Sequence, residues 1–172
     1  ALTTGSALIG GYERALPIQI AMMDIFEVGT GGGSIARIAD EGGLRVGPQS
    51  AGAQPGPACY GQGGDQPTVT DANVALGRLS PDRFLGGEMA LDVAAAEAAI
   101  ADKIGTPPGL GTVEAAQGIL RIGVTAMSHA AKAVTTERGL DGGYFAMVAE
   151  GGAGPLHGGN SVRETAIRKV IL

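Results

Sequence analysis

Tryptophan is absent from this sequence, and only three Phe and three Tyr occur among its 172 residues. Base stacking on aromatic side chains is therefore poorly served. Basic residues are few as well, with 12 Lys+Arg against 17 Asp+Glu and a formal net charge of -5. Such a chain offers little to neutralise a phosphate backbone, so nucleic acid is not an expected partner. The single Cys excludes an internal disulfide framework. No apolar run approaches the roughly 18 residues that a membrane-spanning helix needs. No basic stretch followed by an apolar segment marks a leader, and the expected location is cytoplasmic.

Glycine is what the chain has in excess. It contributes 31 of the 172 residues, more than twice the usual share of about 7%. The glycines come in clusters, whereas collagen needs one at every third position. Hydrophobic residues make up 44%, enough for a core, and the length suits one domain. The chain opens Ala1-Leu2-Thr3-Thr4 and stops in Arg168-Lys169-Val170-Ile171-Leu172. The last segment reads as a strand that wants partners on both sides, so a piece of a larger protein is expected.

Three zones are distinguished, at residues 1–66, 67–140 and 141–172. In the first, Ile18 to Ile25 reads as a strand, followed by a loop at Gly29-Thr30-Gly31-Gly32-Gly33-Ser34. Ile35–Ile38 and Leu44–Val46 flank Asp40-Glu41-Gly42-Gly43, which predicts a hairpin. Gly47 to Gly64 forms a long Gly/Pro-rich connection. In the second zone, Asp71 is a candidate cap for a short helix through Leu79, and Asp92 for another over Val93 to Ala101. Pro107 and Pro108 interrupt the pattern. A long helix is expected from Thr112 to Arg138, with Val113, Ala116, Ile119, Leu120, Val124, Met127, Ala131 and Val134 at helical spacing. Gly139 supplies its stop. In the third zone, Tyr144–Ala149 reads as a buried strand. Gly151-Gly152-Ala153-Gly154 forms the turn, and Pro155 opens a helix through Ala166. Arg168–Leu172 follows as a strand, which completes a βαβ unit with a parallel sheet.

Two glycine loops are candidate binding elements. Consecutive glycines let backbone N–H groups of Gly31, Gly32, Gly33 and Ser34 line a concavity for an anion or a carbonyl. A plain tight turn would use the same residues. The turn Gly151-Gly152-Ala153-Gly154 joins a strand to a helix start, where exposed N–H groups attract negative or polar groups. Close strand-to-helix packing also needs small residues there. Asp24 and Asp71 are candidates to hold a cation or a water, and each also has an ordinary role as strand-end residue or helix cap. His157, His129 and Cys59 are weaker candidates, and no Cys/His cluster suggests zinc.

The strings Asp24-Ile25, Val28-Gly29-Thr30-Gly31-Gly32-Gly33-Ser34-Ile35-Ala36 and Leu44-Arg45-Val46-Gly47-Pro48-Gln49-Ser50-Ala51-Gly52-Ala53 resemble the hydantoinase/oxoprolinase family. So do Pro55-Gly56-Pro57-Ala58-Cys59-Tyr60-Gly61, Pro67-Thr68-Val69-Thr70-Asp71-Ala72-Asn73, Leu76-Gly77-Arg78-Leu79 and Glu137-Arg138-Gly139. Gly151-Gly152-Ala153-Gly154-Pro155-Leu156-His157 completes the resemblance. It departs at Phe26-Glu27, where the family commonly has His-Thr, at Glu150 in place of Phe, and at Gly158-Gly159 in place of Ala-Pro.

The resemblance implies an α/β fold of the actin-like (ribonuclease-H-like) ATPase type, with a partly parallel sheet and packed helices. It implies ATP, with Mg as the divalent cation, and a cyclic amide as substrate. The family's Asp-x-Gly-Gly-Thr phosphate strings are not in this sequence, and the Gly151 turn resembles the adenosine-side loop. A missing N-terminal half or partner subunit is expected, and a homo-oligomer is possible on these grounds. ATP-assisted hydrolysis of a cyclic amide C–N bond is the first expectation. A ketone carboxylase subunit is the second, and an inactive folding or assembly module the third.

Overall fold

The computed structural model describes residues 3–9, 16–22, 25–106 and 109–172, the first two stretches by their backbone. Strand β1 (Thr3–Ile9) pairs antiparallel with β2 (Leu16–Met22), Thr3 lying opposite Met22 and Ile9 opposite Leu16. The strand expected to continue to Ile25 thus ends at Met22, and Ile25 is an exposed coil residue. Pro107 and Pro108 lie outside the described residues.

The hairpin forms as the sequence predicts. Strand β3 (Ser34–Ile38) pairs antiparallel with β4 (Leu44–Ser50). The intervening turn closes by Gly42 N–H donating to the Ala39 carbonyl at 2.7 Å and Ala39 N–H donating to the Gly43 carbonyl at 2.9 Å. Glu41 pairs with Arg45 beside it. The apolar face of this hairpin covers helices. Ala36 is buried, and Ile38, Leu44 and Val46 pack on the main core with it.

Helix α1 spans Val69–Ala75. Its N-cap is Thr68, and Asp71 occupies the third helical position rather than the cap expected of it. The two form a capping box, in which each side chain bonds the other's backbone N–H. Thr-x-x-Asp serves either residue as cap by type; the extended backbone of Thr68 decides which one takes it. The helix stops at Ala75 instead of Leu79, because Gly77 turns into the left-handed region (φ 67°) and donates back to the Val74 carbonyl.

Helix α2 (Val93–Ile100) is capped by Asp92, which accepts from Ala95 N–H at 2.9 Å, as expected. One π-helical turn, Ala101–Gly105, prolongs it and buries Ile104. Helix α3 (Thr112–Val134) carries Glu114 in its first turn, accepting from Gly111 N–H. Ala116, Ile119, Leu120 and Val124 are buried at the predicted spacing, whereas Val113 is exposed in the first turn. The helix ends four residues before Arg138. The Thr135 hydroxyl donates to the Ala131 carbonyl, and Thr136–Arg138 continue as a 3₁₀ turn to Gly139.

The core sits where these elements meet. Val69 and Ala72 of α1 pack with Ile100 and Ile104 of α2 and its extension, and with Ala115, Ala116, Ile119 and Leu120 of α3. Alanine at the contacts lets the helix axes approach closely. A second cluster joins Cys59, Val74, Leu91 and Ala96, with Tyr60 and Phe84 against it.

The βαβ unit is present. Strand β5 (Ala146–Val148) lies parallel to β6 (Lys169–Ile171), and helix α4 (Gly154–Arg163) connects them. The expectation of a buried strand over Tyr144–Ala149 is corrected. Tyr144 is 89% exposed in a 3₁₀ turn, and Phe145 and Val148 are exposed too. Among the described residues each strand of this pair has one strand neighbour, and Val148 and Ile171 are exposed. Helix α4 ends at Arg163 rather than Ala166. Its Gly158 touches the sheet so closely that a Cβ there would lie 2.9 Å from the Cβ of Ala149 and 3.2 Å from Cγ1 of Val170. Gly158 is therefore the contact that seats α4 on β5 and β6. Among the described residues, no helix is long and apolar enough to cross a membrane.

Candidate functional site

The two glycine loops are far apart in sequence and adjacent in space. Gly32, Gly33, Gly152 and Ala153 line one cleft of about 210 Å³, together with Tyr60, Thr70, Asn73, Leu79, Phe84 and Leu156. The first loop is held from behind. Gly31 N–H donates to the Ser34 hydroxyl at 2.9 Å, and Ser34 itself is buried. The Gly32 carbonyl accepts from both Thr70 N–H (2.8 Å) and the Thr70 hydroxyl (2.9 Å). The Gly33 carbonyl accepts from Ala51 N–H at 2.9 Å. With the carbonyls so occupied, the amides of Gly32 and Gly33 have no acceptor among the described residues. A Cβ on Gly32 would stand 2.9 Å from the Thr70 hydroxyl oxygen and 3.8 Å from the Ala153 Cβ, which shows how tightly the loops meet.

The opposite wall is the start of α4. Its N-cap is Ala153, with no side-chain capping bond, and Pro155 in the first turn has no N–H to offer. The positive end of this helix therefore faces the cleft without a capping carboxylate or hydroxyl. Gly31, Ser34, Gly151 and Gly154 flank the cleft in sequence and shape the loops rather than line it.

Asn73 and His157 form the floor beneath. Asn73 is 1% exposed and His157 2%. Their side chains meet across 84 residues of sequence, with Asn73 Nδ2 3.3 Å from His157 Nε2, and Asn73 Nδ2 also donates to the Val69 carbonyl. Two buried atoms are left without partners, Asn73 Oδ1 and His157 Nδ1. A buried acceptor without a donor is costly, and Asn73 Oδ1 is closed off from solvent. Burial and then the nearby charge of Arg78 lower the pKa of His157, so the ring is held neutral.

Asp71 is placed elsewhere. It is fully buried, and its carboxylate accepts four hydrogen bonds: from Cys59 N–H (2.8 Å), Thr68 N–H (2.8 Å), the Thr68 hydroxyl (2.8 Å) and Ala58 N–H (3.2 Å). Both oxygens are spent on holding the Pro57–Tyr60 loop against α1, and the residue lines no part of the cleft. The expected cation or water at Asp71 has no room in this arrangement. Asp24 lies outside the described residues. Cys59 is 0% exposed, and burial, then the Asp71 hydrogen bond and charge, push its thiol far above the usual range. It is a packing residue rather than a nucleophile. His129 is exposed on α3.

These observations bring the two loops to one cleft, and comparison with known proteins supplies the family. A family model described as hydantoinase/oxoprolinase matches residues 4–172. The chain belongs to the hydantoinase/oxoprolinase family. The crystal structure of the ATP-dependent caprolactamase from Pseudomonas jessenii superposes with a TM-score of 0.83 at 44% identity, over 91% of this chain and 23% of that one. A nucleotide-free structure of acetone carboxylase superposes with a TM-score of 0.81 at 28% identity, over 93% of this chain and 22% of that one. The acetophenone carboxylase gamma subunit of Aromatoleum aromaticum is 48% identical over 81% of this chain and 19% of its own length. The chain thus spans about a quarter or less of the length of these relatives.

Within this family member, the cleft has a neighbour. Tyr60 and Phe84, with ring centroids 5.6 Å apart, wall it off from a second pocket of about 530 Å³. That pocket is mainly apolar, with Leu85 and Met89 beside the aromatic pair. Leu85 holds a left-handed backbone (φ 50°), uncommon for a residue with a branched side chain. Thr70, Asn73, Tyr60 and Phe84 were not singled out by sequence reasoning. The one signal for them was the i, i+3 spacing of Thr70 and Asn73, two polar residues on one face of a short apolar helix.

Proposed function

We propose that this chain is part of an ATP-dependent enzyme that opens a cyclic amide ring of the hydantoin or 5-oxoproline type, built on an actin-like ATPase core. The observation that carries this reading is the meeting of the two glycine loops at one cleft, with unengaged amides on one wall and an uncapped helix start on the other. Gly32 and Gly33 would hold one side of the nucleotide and Gly152 and Ala153 the other, with Gly31, Ser34, Gly151 and Gly154 shaping the two loops. The residues present therefore fit a nucleotide. The volume of about 210 Å³ lies below the roughly 300–1,000 Å³ of a complete ligand pocket. This chain would supply one part of the site and a further segment or subunit the rest.

ATP supplies, when bound, the phosphoryl group that activates an amide oxygen so that water can open the ring. The chain's own part is to place backbone N–H donors where negative charge develops, in a cleft whose donors are fixed in advance. The apolar pocket beyond Tyr60 and Phe84 suits the carbon skeleton of a small ring. Asp71 acts in this reading as a positioning residue, because it ties α1, which carries Thr70 and Asn73, to the Pro57–Tyr60 loop. Asp24 is retained as the candidate for holding a cation or water. Among the described residues no group of three or more His, Cys, Asp or Glu fits a metal ion, so no step is assigned to Mg.

The test is ring opening by the full-length protein of hydantoin and 5-oxoproline, with and without ATP. ATP-dependent release of the open-chain product is expected. Absence of any ATP-dependent product would overturn the reading. The 48% identity to an acetophenone carboxylase subunit favours a second reading, ATP-dependent carboxylation of a ketone. In the same assay, ketone and bicarbonate in place of the amide decide between the two. A third reading, that the isolated 172 residues are an inactive folding or assembly module, requires that this chain by itself bind no ATP at millimolar concentration.

A further inference from the structure

A third pocket, of about 400 Å³, lies between α3 and the C-terminal half of α4. It shares no lining residue with the glycine cleft. Its walls carry three guanidiniums, from Arg78 after α1, Arg121 on α3 and Arg163 on α4, with Gln117 and Asn160 between them and Leu120 and Val124 as an apolar floor. The one carboxylate is Glu164, which accepts from the Thr125 hydroxyl at 3.3 Å. The three arginines make no ion pair or side-chain hydrogen bond among the described residues. In a chain of net charge -5, this leaves a local charge of about +2 with nothing to balance it. The walls are braced. The Ser128 hydroxyl of α3 bonds the Ser161 carbonyl of α4, and Asn73 meets His157 between α1 and α4.

We propose that this pocket binds a phosphate group, held by Arg78, Arg121 and Arg163, at a site separate from the glycine cleft. A phosphate or phosphate monoester carries about -1.5 to -2 at pH 7, which matches the unbalanced charge. Planar guanidinium forks suit its oxygens in pairs. The volume lies within the range of small-molecule sites, and Leu120 and Val124 give a carbon skeleton something to rest on.

The experiment is calorimetric titration of the full-length protein with inorganic phosphate and with glycerol phosphate, at constant ionic strength in chloride. Saturable binding is expected. Arg121→Gln and Arg163→Gln should each weaken it about tenfold, and the double variant should abolish it. Arg163→Lys keeps the charge and loses the fork, so it should fall between. All three side chains are exposed at the pocket rim, and unchanged circular dichroism and melting temperature identify a folded variant. Tighter binding of the ester would assign the pocket to an organic phosphate, and equal binding to phosphate itself; both support the site. No saturable binding by the parent overturns it. Binding that persists in the double variant, or that ATP displaces without any effect of the arginines, places the phosphate in the glycine cleft and also overturns it.

Discussion

Substitution of Asp71 by Asn separates a structural carboxylate from a reacting one. The change keeps shape and removes charge. One oxygen of Asp71 accepts three of the four donors, from Ala58 N–H, Thr68 N–H and the Thr68 hydroxyl, and the other accepts from Cys59 N–H at 2.8 Å. The amide oxygen of Asn will keep the three-donor side. Its NH2 group then faces Cys59 N–H, donor against donor. One buried N–H left without an acceptor costs about 1–3 kcal/mol. The other three bonds lose their charge assistance, which raises the total to roughly 2–4 kcal/mol. For a domain of this size each kcal/mol moves the melting temperature by about 2–4 °C. A fall of roughly 5–15 °C is therefore expected. Asp71→Ala orphans all four donors and should consume much of the ~5–15 kcal/mol that folded domains possess.

The assay is a urea melt and an ATP-dependent turnover measurement on the same preparations of full-length protein. At a temperature where Asp71→Asn remains folded, turnover per folded molecule should stay within about threefold of the parent. The opposite pattern would refute the reasoning. A variant that melts within 1 °C of the parent, by the conversion above, yet loses activity a hundredfold or more, would make Asp71 a reacting group.

Three further outcomes follow from the packing and the charges. Gly158→Ala should destabilise by about 1–2 kcal/mol, because the overpacking cost of about 1–3 kcal/mol exceeds the gain in helix propensity; its new Cβ would stand 2.9 Å from that of Ala149. Gly159→Ala, next to it and with no neighbour within 4 Å, should instead stabilise by about 0.5–1 kcal/mol, so chemical denaturation of the pair checks the contact against propensity. Gly32→Ala should weaken ATP binding about tenfold and destabilise by about 1–3 kcal/mol, read by calorimetric titration and thermal melting, since its Cβ would stand 2.9 Å from the Thr70 hydroxyl oxygen that holds the loop. The lowered pKa of His157 means that the folded state binds fewer protons than the unfolded chain below pH 6.5. Stability is then fully present above that pH and is lost as pH falls toward the folded pKa. His157→Gln should flatten the difference in urea stability between pH 8 and pH 5 relative to the parent.

Local signals read well from the sequence, and contacts across distance did not. The hairpin at Asp40 to Gly43, the Asp92 cap and the helical stripe of α3 rest on neighbours within a few residues, so their patterns survive in one dimension. The roles of Thr68 and Asp71 were exchanged because both are capping types three residues apart, and the extended backbone of Thr68 settles the matter only in three dimensions. That Asp71 also reaches Ala58 and Cys59, 13 and 12 residues back, has no local signature. The apolar run Tyr144–Ala149 resembled a buried strand, but burial depends on what covers its second face. Within the site, the two glycine loops were recognisable as loops, while the pairing of Asn73 with His157 was not, because nothing local demands it.

That pairing gives the cleft its organisation. Helix α1 presents Thr70 and Asn73, and the two residues work in opposite directions. Thr70 spends its N–H and hydroxyl on the Gly32 carbonyl, which fixes the first loop, and the Gly32 amide has no acceptor among the described residues. Asn73 spends its NH2 group on Val69 and His157, which fixes α4 and leaves its own Oδ1 unpartnered. A seven-residue helix thus positions both glycine walls. The Asp71 carboxylate anchors that helix from below. Sites of this kind are sensitive to their supports, since a shift of about 1 Å in a positioning element is enough to misplace a reacting group. The glycines are consequently the visible part of the site, and the polar face of α1 is the part that sets their separation.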